Sequence, residues 1–385
     1  MSPHSASIKA KQPEVIMIGS DPGEQGGIGT VLKTYTDGGF LDDKIFLVSH
    51  KESPAVYRVW LFFQCALSLF CLLLTKPSIR LVHMHMSERG SFFRKALLAL
   101  MIHAMGRKAV YHLHGAEFLL FYQNSKPLVQ SFIRYTLDSA DALFVLSESW
   151  KQDLALMSKN QNICVVYNPV VFDPTLDLKP HQEAEPLRFL FMGRFGHRKG
   201  IYDLIHAVAQ IKERNFKIHL HGDGELEEVR SLIAETNTGD SIKMTGWIKG
   251  EAKVKAFREA DVLLLPSYNE GLPVAILEAL SYGLAVISTP VGGIAEAVHE
   301  GQNGFLVNPG NVEGLASAIT ILATNPETLA QFKQKSRELC AEHFAHTQIF
   351  TQMEDLYKQV MIDHGSSAVS SVHSNSVFAS SQAEN

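Results

Sequence analysis

The chain has 385 residues, of which 46% are hydrophobic, and a formal net charge of −5 at pH 7. This length is too great for one compact core and predicts two domains of about 180 residues each. The hydrophobic content excludes a chain disordered over most of its length. Its four cysteines form no Cys-x-x-Cys pair, which favours reduced thiols over disulfides or zinc and predicts a cytoplasmic protein.

The first part of the chain alternates between strand and helix patterns. Residues 1–13 are polar and lack an apolar signal core, so we expect a flexible N-terminus and no secretion. The predicted strands are 15–19, 45–48, 80–85, 109–114 and 142–146, and helices 28–37 and 57–74 follow the first two. Such alternation indicates parallel strands with right-handed crossovers. Residues 14–182 are therefore predicted to form a Rossmann-like domain.

The predicted helix 57–74 contains the most apolar run of the chain, residues 59–74, interrupted only by Gln64 and Ser68. The run is shorter than the roughly 20 residues that span a bilayer. A buried helix of a doubly wound domain and a helix in contact with a membrane both fit this pattern, and the sequence does not distinguish them.

The same region is strongly basic. Between residues 54 and 111 there are eight lysines and arginines and a single acid, Glu88, although the chain as a whole is acidic. The segment 92–98, Phe-Phe-Arg-Lys-Ala-Leu-Leu, mixes aromatic, aliphatic and cationic residues as interfacial helices do. We therefore predict peripheral binding of this segment to an anionic membrane surface.

A polar, proline-bearing stretch at 173–186 predicts an interdomain linker, after which the alternation restarts. The second cycle has predicted strands 188–193, 216–221, 241–244, 261–265 and 284–288, helices 200–214, 225–235, 250–259 and 273–282, and a helical region after 312. Residues 183–345 should form a second Rossmann-like domain, 346–363 a C-terminal helix that packs back on the first domain, and the Ser-rich 364–385 a disordered tail. Facing domains leave a deep cleft for ligands.

Two acids, Glu270 and Glu278, lie eight positions apart around a Gly-Leu-Pro turn. Glu270 follows a predicted buried strand and Pro273 opens the next helix, so both acids should lie near the free N–H groups of a helix start. Glu278 interrupts an apolar helix and therefore needs a partner. The pattern is typical of a sugar-nucleotide site; the alternative is an ordinary loop acid and a solvated helix residue.

The second predicted domain opens with a glycine-bracketed basic loop, Gly193-Arg194-Phe-Gly-His-Arg-Lys199-Gly200. Arg194 can bind a phosphate bidentately and Lys199 can act as a point charge, so the loop predicts a clamp for a diphosphate. A solvated basic loop is the alternative. His197 and Arg198 are interpreted as loop residues without a role in the clamp.

In the first domain, Gly26-Gly27-Ile28-Gly29 follows the first strand, but Leu32 occupies the third glycine position of the dinucleotide pattern. NAD binding is therefore disfavoured. A turn that lets the backbone approach a phosphate or sugar is the better interpretation.

His114 ends a strand at the expected ligand edge. His83 and His85, like His112 and His114, share a strand face, so a metal site is conceivable; the apolar residues alternating with them favour ordinary strands instead.

Together these motifs resemble the retaining glycosyltransferases of family 4, and in particular bacterial exopolysaccharide and lipid-linked oligosaccharide hexosyltransferases, over roughly residues 14–345. The matching residues are Gly26-Gly27-x-Gly29, His114-Gly115, Asn168-Pro169, Gly193-Arg194 through Lys199-Gly200, Gly222-Asp223-Gly224, Gly246-Trp247, Glu270-Gly-Leu-Pro through Glu278, and Thr289-Pro290-Val-Gly-Gly. The paired glutamates are specific when joined to the upstream arginine and lysine.

The resemblance implies an α/β fold in which two Rossmann-like, doubly wound domains face each other across a cleft (GT-B). Glu270 would bind donor sugar hydroxyls, Glu278 the ribose, Arg194 with Lys199 the diphosphate, and His114 the hexose near the reacting carbon. The implied catalytic residues are Arg194, Lys199, Glu270 and His114. The implied donor-binding residues are Gly27, Gly193, Gly246 (near the base), Gly271, Leu272, Pro273, Val274 and Glu278, with Ser147 as a further candidate for the cleft wall.

The resemblance also implies the reaction. A hexose would pass, with retention, from a UDP- or GDP-sugar to a glycan or polyprenyl-linked saccharide in cell-surface polysaccharide biosynthesis, with neither cofactor nor metal because fixed cations replace one. We expect a cytoplasmic enzyme, peripheral on the cytoplasmic face of the inner membrane, with no nucleic-acid partner. The alternatives are a sugar-nucleotide epimerase of the same architecture and a non-catalytic nucleotide-sugar binding module.

Overall fold

The computed structural model describes residues 13–176 and 185–362. The predicted disordered tail, 364–385, all but one residue of the predicted flexible N-terminus and the centre of the predicted linker lie outside the described residues.

The first domain is a six-stranded parallel sheet with helices on its faces. Its strands are β1 Val15–Ser20, β2 Ile45–His50, β3 Leu81–Met86, β4 Lys108–Leu113, β5 Ala142–Val145 and β6 Ile163–Val165. Its helices are α1 Gly27–Asp37, α2 Ala55–Thr75, α3 Gly90–Ala104, α4 Phe118–Gln123, α5 Pro127–Ser139 and α6 Glu148–Met157. The strand order is β2-β1-β3-β4-β5-β6. The strands β1, β3 and β5 are buried along their whole length and β4 at five of its six positions, which explains their largely apolar sequences.

The second domain repeats this plan with strand order β12-β11-β10-β7-β8-β9. Its strands are β7 Leu187–Met192, β8 Phe216–His221, β9 Ile242–Thr245, β10 Val262–Leu265, β11 Ala285–Ser288 and β12 Gly304–Leu306. Its helices are α7 Ile201–Gln210, α8 Leu226–Glu235, α9 Glu251–Glu259, α10 Val274–Ser281, α11 Ile294–Ala297, α12 Val312–Thr324 and α13 Pro326–Leu339, and α14 His346–Ile362 ends the described chain. The prediction of two doubly wound α/β domains is confirmed. The sequence missed β6 and β12, which are three residues long and too short to show a period.

The last helix, α14, packs on the first domain although it follows the second in sequence. Ile349, Met353 and Tyr357 are buried in a cluster with residues of β1 and α1. The hydroxyl of Tyr357 lies 2.5 Å from Nδ1 of the buried His83. Because α14 is continuous with the second domain and buried in the first, it limits how far the two can separate.

Helix α2 is the most exposed apolar element among the described residues. Only Cys65, Leu69 and Leu73 are buried, so a single narrow stripe holds this 21-residue helix on the domain. The opposite side presents large apolar side chains at alternating steps of four and three residues; we call this set the α2 stripe, Val56, Trp60, Phe63, Leu67, Phe70 and Leu74. By length and composition the helix could cross a membrane. The interpretation of α2 as an ordinary buried helix is therefore wrong.

Helix α3 corrects a second expectation. The segment 92–98 was predicted to lie in a membrane interface, but Phe92, Lys95 and Leu98 are buried against the sheet. Residues three or four positions apart share a face of a helix, and the buried positions Phe92, Lys95, Ala99 and Ile102 follow this spacing along the face that covers the core. Phe93 and Leu97 remain exposed and extend the apolar surface beside α2. The exposed apolar surface of α2 is therefore larger than that of α3.

Candidate active site

A cleft of about 710 Å³ separates the two domains and lies at the carboxyl ends of both sheets. This edge is where open parallel sheets bind ligands. Its lining includes eleven of the twelve predicted site residues: Gly27, His114, Gly193, Arg194, Lys199, Glu270, Gly271, Leu272, Pro273, Val274 and Glu278. Residues far apart in sequence thus meet in one crevice.

At the centre of the second-domain wall, Lys199 forms an ion pair with Glu270. The Lys199 Nζ lies 2.5 Å from Glu270 Oε1, and both side chains are largely buried. Arg198 Nη1 lies 3.7 Å from the other carboxylate oxygen and donates a hydrogen bond to the Asn269 carbonyl. Arg198, interpreted from the sequence as a plain loop residue, therefore belongs to this cluster. Its place in the same glycine-bracketed loop as Arg194 and Lys199 was the signal that could have found it.

The backbone of this loop explains why Lys199 points into the cleft. Residues His197–Lys199 form a 3-10 turn that ends at Gly200 in the left-handed region, with φ 67°. A Cβ on Gly200 would lie 1.9 Å from the Pro266 carbonyl oxygen, so the turn can press against the end of β10 only with glycine here.

Glu278 finds its partner in Lys253. The two side chains approach to 2.6 Å, from α10 and α9 respectively. Burial raises the pKa of Glu278, and the adjacent Lys253 charge opposes that shift. The sequence predicted that this carboxylate needs a partner; it could not say which residue, because the contact joins different helices.

Arg194 differs from Lys199 and Lys253 in its hydrogen bonds and ion pairs. It lines the cleft, and neither a hydrogen bond nor an ion pair is formed by its guanidinium with residues 13–176 or 185–362. Among the described cleft residues, Lys199 and Lys253 have carboxylate partners in Glu270 and Glu278, whereas the Arg194 guanidinium is free to meet an external anion. A guanidinium is well suited to bind a phosphate through two parallel hydrogen bonds.

Two helix starts face each other across the cleft. Helix α10 begins at Val274 after Pro273, and its first N–H groups have no partners within the helix. The Cβ position of Gly27, which begins α1, lies 3.7 Å from Val274 Cγ2. Asn168 of the first domain donates to the Leu272 carbonyl at 2.9 Å. The Gly-Leu-Pro turn is thus held by both domains, and its helix dipole favours negative charge in the cleft.

His114 lines the cleft from the first domain and is the end of a row of histidine rings. Its Nε2 lies 2.8 Å from His85 Nδ1, and the rings of His83, His85 and His112 continue the row into the sheet interior. Side-chain nitrogens of the last three lie within 4.8 Å of one another, a spacing at which a metal ion could be held. Burial lowers the pKa of His114 to about 3, so its ring is neutral at neutral pH.

These buried rings predict acid lability. Burial also lowers the pKa of His112 well below its ordinary value, whereas the unfolded residue titrates near 6.5. Stability from a depressed histidine pKa is present above about pH 6.5 and is lost as the pH falls below it. His112→Leu should therefore reduce the loss of unfolding free energy between pH 7.5 and 5.5 by roughly 1 kcal/mol. Guanidinium titrations at both pH values measure this, with exposed His206→Leu as the control; an unchanged pH dependence in His112→Leu would contradict it.

Two predicted cleft residues lie elsewhere. Gly246 is exposed and does not line the cleft, whereas its neighbours Trp247 and Ile248 do. An indole beside the site offers a surface on which a base could stack, which a glycine lacks. Ser147 is buried and accepts a hydrogen bond from the Trp150 N–H as the N-cap of α6. It therefore serves the start of a helix and is not part of the cleft wall.

Comparison with known proteins gives consistent matches along most of the chain. Residues 175–339 match the family described as Glycosyl transferases group 1, and residues 30–173 match Glycosyltransferase Family 4. N-acetyl-alpha-D-glucosaminyl L-malate synthase of Bacillus anthracis is 29% identical over 266 residues, which are 66% of this chain and 69% of that protein. Lipopolysaccharide 1,6-galactosyltransferase of Escherichia coli is 32% identical over 187 residues, 47% of this chain and 52% of that one.

A solved structure supports the same assignment at the level of the fold. HepE of Anabaena, crystallised with UDP-glucose, superimposes with a TM-score of 0.71 at 18% identity, covering 90% of this chain and 99% of that one. At this identity the likeness concerns the fold alone. Because the two family matches together span both domains and the cleft between them, the chain belongs to the family 4 glycosyltransferases of the GT-B fold.

Proposed function

We propose that this glycosyltransferase moves a hexose, with retention, from a UDP- or GDP-sugar to a saccharide acceptor, either a glycan or a polyprenyl-linked saccharide, in cell-surface polysaccharide biosynthesis. The main support for a nucleotide-sugar donor is the cluster of Arg194, Lys199 and Glu270 in the cleft, beside the start of helix α10. It combines cations for a diphosphate with a carboxylate for sugar hydroxyls. The related HepE structure with UDP-glucose supports the same ligand class.

The cluster supports a mechanism that depends on the leaving group. Arg194, Lys199 and the first N–H groups of α10 would stabilise the negative charge that develops on the departing diphosphate. Glu270 would hold hydroxyls of the sugar while its Oε1 pairs with Lys199. No carboxylate is needed as a nucleophile, so the acceptor would attack on the face that the diphosphate leaves. His114, neutral and supported by His85, would position the hexose by hydrogen bonding.

The proposed acceptor is supported by a relative that matches only part of this chain and by the exposed surface of the first domain. The galactosyltransferase relative named above acts on lipopolysaccharide, a membrane-anchored glycan. The α2 stripe exposes Trp60 and Phe63 by more than half of their surface. Apolar surface of this size on a monomer is typical of an interaction site, and aromatic residues are favoured at the membrane interface. We propose that α2 lies in the plane of the cytoplasmic leaflet and brings the cleft to membrane-bound acceptors.

Donor binding is the direct test. UDP-sugars or GDP-sugars at 100 times their Kd should raise the unfolding free energy by about 2.7 kcal/mol, measured as a thermal shift in buffer containing EDTA. Glu270→Ala should lose the extra shift that a sugar gives over the bare nucleoside diphosphate. If no nucleotide sugar shifts the transition, the proposed donor class is wrong; a shift abolished by EDTA would contradict the expectation of metal independence. Sugar transfer to an acceptor, rather than conversion of the donor alone, excludes an epimerase.

A further inference from the structure

Helix α6 of the first domain begins directly against the second domain. Its first N–H, that of Glu148, donates a hydrogen bond of 2.8 Å to Oε1 of Glu296. Glu296 lies in the short helix α11, so the two groups are 148 residues apart in sequence. N–H groups in the first turn of a helix have no partner within that helix, and a carboxylate there also interacts favourably with the helix dipole. The second domain therefore caps a helix of the first.

The other oxygen of this carboxylate binds a second part of the first domain. Glu296 Oε2 accepts a hydrogen bond of 2.8 Å from the Tyr167 hydroxyl. Tyr167 lies two residues beyond β6, and its ring packs against an apolar cluster of each domain. Withdrawing a carboxylate from water is unfavourable unless hydrogen bonds replace those to water, and here both oxygens are bonded to the first domain. Glu296 is therefore a contact between the domains.

Tyr167 leads directly into a contact with the donor turn. The next residue, Asn168, is buried and donates to the Leu272 carbonyl at 2.9 Å. Leu272 belongs to the Gly-Leu-Pro turn that follows Glu270. Because consecutive Cα atoms are about 3.8 Å apart, a shift of Tyr167 is passed on to this contact. Two consecutive residues of the first domain thus hold Glu296 and the donor turn.

The turn before α11 provides a second connection to the donor site. The Gly293 N–H donates to the Gly271 carbonyl at 2.6 Å. A Cβ on Gly293 would lie 3.0 Å from Ser147 Cβ and 3.1 Å from that same carbonyl oxygen, so Gly293 is enclosed between the start of α6 and the donor turn. At Gly292, where φ is 57°, a Cβ would lie 2.0 Å from the Glu270 carbonyl oxygen. The backbone of the donor site therefore contacts this turn with no side chain between them.

We propose that Glu296 is a positioning residue for glycosyl transfer. By binding the start of α6 and Tyr167 it fixes the two domains together, and these contacts hold the turn 270–273 in the geometry that binds the donor sugar. Glu296 does not line the cleft, so it acts through Asn168 and Gly293. This inference rests on the proposed glycosyl transfer and goes beyond it, because it gives a role to an acid outside the cleft. The alternative is a residue that only stabilises the fold.

Calorimetry with Glu296→Ala tests this role. UDP would contact the cations of the second domain, which the substitution leaves in place, so its Kd should stay within about twofold of the wild-type value. The Kd of UDP-glucose should rise at least about tenfold, since the turn that carries Glu270 loses its support. GDP and GDP-mannose replace this pair if they are the ligands that stabilise the wild-type chain. An equal rise in both Kd values, or no rise in either, would overturn the proposal.

Two further variants separate the hydrogen bonds of Glu296 from a general loss of charge. Glu296→Gln keeps an oxygen for the Glu148 N–H and gains an amide that can donate to the Tyr167 oxygen, so its Kd for UDP-glucose should lie close to the wild-type value. Glu300→Ala removes a carboxylate that accepts the Leu306 N–H within the second domain, and it should leave both Kd values unchanged. A Glu296→Gln chain that binds UDP-glucose as weakly as Glu296→Ala would contradict a role through these hydrogen bonds.

Hydrogen exchange tests the connection between the domains without a donor. In Glu296→Ala, peptides covering the start of α6 and residues 268–276 should exchange faster than in the wild-type chain. Peptides covering β8, two strands away from β10, should not change, whereas a general loss of stability would speed them all. Faster exchange confined to α6 and α11 would overturn the proposal. If neither UDP-glucose nor GDP-mannose binds the wild-type chain, the proposed donor fails, and the exchange result still decides whether Glu296 holds the turn.

Discussion

Replacing Lys199 with methionine is expected to lower kcat/KM for sugar transfer by about 10²- to 10³-fold, because a preorganised charge at the leaving diphosphate contributes about 3–4 kcal/mol to the transition state. Lys199 lies where that charge is needed, in a loop fixed by Gly200 and beside Arg194. Loss of Arg194 should have a comparable effect. Methionine keeps most of the volume of the lysine side chain, so Lys199→Met chiefly removes the positive charge.

The ion pair with Glu270 complicates this experiment, and the structure supplies its control. Lys199→Met leaves the Glu270 carboxylate largely buried with Arg198, at 3.7 Å, as its remaining ion-pair partner among the described residues, so the variant should also melt at a lower temperature. Adding Glu270→Gln removes the uncompensated charge and should restore stability without restoring transfer. If activity returned with stability, Lys199 would be a structural partner only.

Single-turnover rates with saturating donor separate these effects. Lys212→Met, at an exposed position of the same domain, controls for the loss of one positive charge. Near wild-type turnover in Lys199→Met would show that the basic loop is not a diphosphate clamp.

Much of the fold could be predicted because parallel strands buried on both faces have a distinctive sequence. β8 and β10, for example, lie within one residue of their predicted bounds: β8 alternates apolar and polar residues, and β10 is a continuous apolar run. The basic loop and Glu270 could also be located, because each lies in the loop that follows a strand, and Glu278 because it interrupts an apolar helix. What the sequence did not reveal were partners from other elements. Lys253 is the clearest case, since its contact with Glu278 depends on how α9 packs beside α10.

For a related reason, the sequence did not show which of two apolar helices exposes the larger apolar surface. α2 and α3 are both apolar and both carry arginine, so composition does not decide which of them covers the core. α3 contacts β3 and β4 in the interior of the sheet and buries its apolar face there. α2 lies against β2, the edge strand, and its only buried positions are Cys65, Leu69 and Leu73. The order of the strands determines the outcome, and that order is a property of the whole domain.

The exposed α2 stripe leads to the second large expected effect. Trp60→Ser/Phe63→Ser should lower partitioning onto liposomes containing anionic lipid on the order of 10²-fold. Burying a large apolar side chain contributes about 1.5–3 kcal/mol, and each of these two is only partly transferred at an interface. Phe63 is 65% exposed in the chain alone, so removing it takes little from the core, and the melting temperature should change little.

Flotation of liposomes at low and high salt measures the electrostatic and the apolar contributions to membrane binding separately. Salt screens the attraction of Arg58 and its neighbours to anionic lipid, whereas the contribution of Trp60 and Phe63 persists in high salt. The double variant should therefore lose the salt-resistant fraction, while Leu156→Ser/Ile321→Ser, which removes exposed apolar residues from other surfaces, should keep it. Hydrolysis of the donor in solution should be equal in all chains, because α2 does not line the cleft. Unchanged flotation of the Trp60→Ser/Phe63→Ser chain, or salt-insensitive absence of binding by the wild type, would exclude α2 as a membrane contact.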